Sequence, residues 1–159
     1  MLEWRYGARC YKFAAPLRRA MAGLFDVSDD EVEDLKRDEV APGRSGREVM
    51  IAISEKVCKP LLGGSWFGRI AGETIRRELP DIAVVTDSGF ASEVNACVCA
   101  CDPVGYQPEL WAIMRGGHTF DGDSRSYLAP GGMPRRSLIN NGSMCDLYKD
   151  VVRLFEGAP

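Results

Sequence analysis

The 159-residue sequence predicts an α/β fold with a mainly parallel sheet flanked by helices. Three observations carry that expectation. Ile82-Ala83-Val84-Val85-Thr86 and Leu110-Trp111-Ala112-Ile113-Met114 are short apolar runs of the kind buried on both faces of a parallel sheet. Segments of helical periodicity stand before, between and after them. The first run ends directly in Asp87-Ser88-Gly89-Phe90, a carboxylate and a turn at the end where open α/β sheets gather ligands.

The elements follow in order. Residues 8–13 read as a short strand. Pro16 suits the first turn of a helix, and Leu17, Met21, Leu24 and Phe25 recur at helical spacing. Ser28 and Glu31 form a capping-box pattern for a helix over 29–37. Residues 41–46 read as a loop. Arg47 to Cys58 is helical, with Val49, Met50, Ile53 and Val57 on one face, and Pro60 with Gly63-Gly64 ends it. Ser65 caps a helix carrying Trp66, Phe67, Ile70 and Ile75, and Pro80 stops it before the strand at 82–86. A helix follows at 92–99, then the strand at 110–114. The polar, glycine-rich stretch within 116–137 has the composition of a flexible lid-like loop. The tail over 144–155 is an amphipathic helix capped by Ser143. No repeat or linker divides the chain, so one domain over 1–159 is expected.

Hydrophobic residues make up 45% and charged residues 27%, as in ordinary globular proteins. No apolar run reaches the length of a membrane span, and Met1-Leu2-Glu3-Trp4-Arg5 lacks the layout of a signal peptide. Both point to a cytoplasmic protein with six free cysteines. The net charge of −3 gives no field favouring nucleic acid. From Asp26 to Glu39 eight acids face Lys36 and Arg37, a solvated helix face in the usual reading of such runs.

The candidate site residues are Asp87 and several arginines. Asp87 either orients magnesium or a substrate hydroxyl, or simply makes a turn with Ser88 and Gly89. Arg47 opens a helix, Arg115 ends a strand, and Arg135 and Arg136 follow the loop; guanidinium groups grip phosphates bidentately. Trp66 beside Gly63-Gly64 either stacks a base or packs the core. Cys97, Cys99 and Cys101 lack the C-x₂-C spacing of zinc sites and read as small core residues, so no metal ligand is assigned. No G-x-x-x-x-G-K-[ST] loop occurs in the sequence.

Several segments together resemble phage-type deoxynucleoside monophosphate kinases and related P-loop kinases. Phe13-Ala14-Ala15-Pro16-Leu17-Arg18 looks like that family's F-A-x-P-L-K. Gly46-Arg47-Glu48 with Ile51-Ala52-Ile53-Ser54-Glu55 looks like its T-x-R-x-x-[LM]-Q-x-[LI]-G. Ser65-Trp66-Phe67 is similar to its D-x-W. Thr86-Asp87-Ser88-Gly89-Phe90 with Glu93 resembles D-x-R-F-x-x-E, and Ile139-Asn140-Asn141-Gly142-Ser143 with Leu147 looks like I-x-N-[DN]-G-[ST]-x-x-x-L. The order is right over most of the chain. Gly89 stands where the family has arginine, the loop after Arg115 holds Arg125 but no histidine lid motif, and only Met1 to Ala8 precede the first strand. The resemblance therefore implies a P-loop-kinase-like fold without its first strand and P-loop.

It implies three readings of function. One is a non-catalytic or degenerate kinase-like phage protein that binds a nucleotide, a nucleic-acid end or a protein partner. Another is an active nucleoside monophosphate or DNA-base kinase, using ATP and magnesium, with Arg44, Arg47, Arg135 and Arg136 as phosphate anchors. The third is a structural or assembly subunit. The family's first strand is central in its sheet, so its loss leaves the strand at 82–86 short of a neighbour. The N-terminal segment, a changed strand order or another chain must fill the gap, which makes a homo-oligomer or a complex the expected state.

Overall fold

In the computed structural model, which describes residues 2–121, 127–128 and 132–157, the chain is mixed α/β with short parallel sheets flanked by helices. It begins with α1 (Leu2–Tyr6), β1 (Arg9–Tyr11) and α2 (Ala15–Phe25). Then come α3 (Val32–Leu35), the hairpin β2 (Glu39–Ala41) and β3 (Arg44–Ser45), and α4 (Gly46–Ile53). A π-turn (Ser54–Cys58) leads into α5 (Lys59–Leu62), then α6 (Trp66–Glu78), β4 (Ala83–Val85) and α7 (Ala91–Cys101). β5 (Leu110–Met114), β6 (Arg135–Ile139) and α8 (Met144–Phe155) close the fold.

Among the described residues the strands form three two-stranded sheets rather than one continuous sheet. β1 pairs in parallel with β4, β5 pairs in parallel with β6, and β2 pairs antiparallel with β3. α7 connects β4 of the first parallel pair to β5 of the second.

The core sits between α2, α4, α6 and α7. Met21 and Val32 are completely buried in it, with Phe13, Leu17, Phe67 and Ile75 almost so. Helices α6 and α7 approach backbone to backbone because α6 carries Gly68 and Gly72 one turn apart. A Cβ on Gly68 would lie 1.9 Å from the Glu93 carbonyl oxygen, and one on Gly72 would lie 2.5 Å from that of Cys97. The buried Arg18 ties α2 to the acidic segment: its guanidinium pairs with Glu33 and donates to the Asp29 carbonyl at 2.7 Å. The acidic stretch thus neutralises a buried cation as well as facing solvent.

Several boundaries differ from the sequence expectations. The helix expected over 29–37 shrinks to α3. Ser28 and Glu31 still exchange their capping hydrogen bonds, but turns take up both flanks. The loop expected at 41–46 contains a hairpin, because Pro42 and Gly43 (φ 67°) make the tight turn that pairs Ala41 with Arg44. Pro60 does not end its helix. The wider π-turn before it reroutes the ladder where the missing N–H and the ring would break an α-helix, and Gly63 (φ 92°) terminates α5. Ser65 occupies the cap position of α6, yet its hydroxyl makes no capping bond. The lid-like loop ends before residue 135, where β6 begins. Two leading arginines hide that strand from a hydropathy pattern, and its burial still alternates along its length. Residues 122–126 and 129–131 of the loop, with Arg125, lie outside the described residues.

Candidate functional site

The C-terminal ends of β1 and β4 lie side by side in their parallel pair, and β5 ends in a separate pair with β6. Lys12 and Phe13 follow β1, Asp87 follows β4 and Arg115 follows β5. The Asp87 carboxylate accepts the Phe13 N–H at 2.7 Å and the Ala14 N–H at 3.0 Å. These are donors at the start of α2 with no partner inside the helix, so Asp87 caps the helix of the neighbouring strand.

Beside it stands Glu93, only 5% exposed, on the α7 face that packs against Gly68. Burial raises its pKa, Lys59 opposes that rise, and the charges of Asp87 and Glu55 add to it, leaving Glu93 at about 7. Lys59 is held in place: its ammonium lies 2.6 Å from Glu55 and 3.9 Å from the centre of the Phe90 ring. Asp87, Glu93, Glu55 and Lys59 thus form one electrostatic group at the end of β4. Glu93 could be read from the sequence as the one charged residue among Val94, Cys97 and Cys101 on the apolar face of its helix; Lys59 and Glu55 give no such signal.

The structure does not bring all the candidate residues together. Arg115 is exposed at the C-terminal end of β5, followed by a turn in which the Gly116 N–H donates to Asn141 Oδ1 at 2.6 Å. Arg135 and Arg136 begin β6 and therefore stand at the opposite end of that strand pair. Arg136 is engaged there by the Glu109 carboxylate and the Leu154 carbonyl. Arg47 is exposed in the first turn of α4, beside the β2–β3 hairpin. Trp66 is half-buried against the core and meets Phe67 edge-on, with ring centres 5.1 Å apart. Cys97 and Cys101 are buried on α7, where burial pushes the Cys97 thiol up to about 12. Among the described residues no cluster of three or more histidine, cysteine or acidic side chains is arranged to hold a metal ion, and no helix is long and apolar enough to cross a membrane.

A concave feature borders residues of both parallel strand pairs. A cavity of about 850 Å³ is lined by residues 82–86 and 106–113 and by Phe120, Tyr127, Leu128 and Met133. Val94, Cys97 and Val98 of α7 and Val151 and Phe155 of α8 also line it. Among the described residues β4 pairs with β1 alone, and residues 82–86 border this cavity. No protein-family model, curated protein or solved structure matches the chain.

Proposed function

We propose that this chain is a kinase-like domain that holds a nucleotide at the C-terminal edge of β4 and β5 and does not transfer phosphate on its own. Asp87 carries the reading. Both carboxylate oxygens take backbone N–H groups of the neighbouring helix, so the residue that the resemblance would give to magnesium or a substrate hydroxyl serves as a brace. A phosphoryl-transfer site works by positioning and neutralising charge on the transferred phosphates, and the sequence contains no glycine-rich lysine loop to do so. Arg135 and Arg136, two of the four arginines offered as anchors for an active kinase, stand at the far end of the strand pair that carries Arg115. The kinase-like part of the reading is supported by the open cavity beside β4, where the resemblance places an absent central strand.

The test combines labelled ATP with each deoxynucleoside monophosphate, followed by a thermal-shift series with the same nucleotides. No diphosphate should form, while one nucleotide class should raise Tm by mass action. Arg115→Ala should remove most of that rise. Turnover that disappears in both Asp87→Ala and Asp87→Asn would overturn the non-catalytic reading. A flat Tm series would favour a purely structural subunit.

A further inference from the structure

Glu93 is buried where a charge is costly. It stands in the first turn of α7, 5% exposed, with Gly68 of α6 packed against its backbone. Among the described residues three side-chain charges act on it: Lys59 and Glu55 from the π-turn and the start of α5, and Asp87 from the end of β4. α6 directs its own charges elsewhere, with Arg69 and Glu73 paired at 2.9 Å on its exposed side. Asp87 is engaged by the Phe13 and Ala14 N–H groups. Lys59 is the cation of the group, yet its ion pair is with Glu55 at 2.6 Å.

Lys59 already faces the helix that carries Glu93. Its ammonium lies over the Phe90 ring, 3.9 Å from the centre. Phe90 is the cap residue of α7 and Glu93 its third residue, the two positions that adjoin in a capping box.

The protonation of Glu93 decides which carboxylate Lys59 serves. While Glu93 holds its proton, Glu55 is the anion and the lysine stays with it. A half-exposed pair four residues apart along a helix adds little stability, whereas a buried carboxylate without a counter-charge is strongly destabilising. Once Glu93 is ionised, Lys59 therefore gains more there than it loses at Glu55. The carboxyl is poised for that change: burial raises its pKa most, Lys59 lowers it, and Asp87 and Glu55 raise it again, to about 7.

We propose that Glu93 and Lys59 form a proton-operated latch between α5 and α7. With the proton on Glu93, Lys59 rests on Glu55 above the Phe90 ring. When that proton leaves to solvent, the ammonium crosses the ring to pair with the Glu93 carboxylate and ties α5 to the start of α7. The latch closes as pH rises through neutrality. It needs no nucleotide and stands apart from the nucleotide reading.

The test follows Lys59 by NMR in the full, isotope-labelled chain from about pH 5 to about pH 9, below the ordinary titration of lysine. Its ε-methylene signals should lie upfield at low pH, in the ring current of Phe90. They should move with the same midpoint as the Glu93 side-chain carboxyl carbon. Glu93→Gln should fix them at their low-pH position. Lys59→Met should raise the Glu93 midpoint by about one unit or more, and Lys59→Arg should leave it near that of the parent. Glu55→Gln, which frees the lysine, should lower it. A Glu93 carboxyl that does not titrate in this range, or Lys59 signals that stay still while it does, would overturn the proposal. So would the same movement in Glu93→Gln, or a Glu93 midpoint unchanged by Lys59→Met. Lys59 signals that reach the values of a solvated lysine above neutrality would mean release instead of pairing, and overturn it as well.

Discussion

Asp87 and Phe13 are 74 positions apart in sequence, yet the Asp87 carboxylate accepts the Phe13 N–H at 2.7 Å. This bond, with its companion to Ala14, locks the end of β4 to the entry of α2. Asp87→Ala leaves two helix-start donors without their acceptor and should cost about 1–3 kcal/mol. Asp87→Asn keeps one acceptor oxygen and should cost less. Urea denaturation of the two variants checks the order.

Glu93 makes stability depend on pH. Its folded-state pKa of about 7 lies above the ordinary 4.5, so the folded chain binds the proton more tightly than the unfolded chain. Stability associated with this group is complete below pH 4.5, falls as pH rises and levels off above pH 7. Glu93→Gln should match the parent near pH 4.5 and exceed its stability at pH 8 by about 2–3 kcal/mol. Melting curves across that range measure it; a Glu93→Gln chain with the parent's slope between pH 4.5 and 7 would refute the assignment.

The α6–α7 contact depends on the absence of a side chain. Gly68→Ala places a methyl against the backbone of Glu93 and should cost about 3 kcal/mol or more as the helices separate. Gly23→Ala, in the last turn of α2 with open space around it, should instead stabilise by up to about 1 kcal/mol. Denaturant midpoints of the pair separate close packing from helix propensity.

The cysteines should divide by burial. Cys99 and Cys145 are exposed and should alkylate rapidly in the native protein, while Cys10, exposed but with its thiol pushed up by partial burial and by Glu3, should react more slowly. Cys97 and Cys101, buried with raised pKa values, should react only on unfolding. Mass spectrometry after brief iodoacetamide treatment reads the difference.

The sequence by itself determined the local elements wherever pattern and cap agreed. β5 and α8 stand at the expected residues, and Ser143 caps α8 with Asp146 in a reciprocal pair, because apolar periodicity and a side-chain acceptor are properties of neighbouring residues. It also marked Asp87 as the residue closing β4. Tertiary structure decided what these elements do. It turned Asp87 into the cap of a distant helix and buried Glu93 against a glycine. It drew Arg18 into the acidic segment and set Arg136 at the far end of its strand pair from Arg115. It also put β4 and β5 in separate sheets that border one cavity. Each depends on which segments meet across dozens of residues, and no local pattern encodes that. An apolar run announces a buried strand; only the assembled sheet shows which side of it still lacks a neighbour.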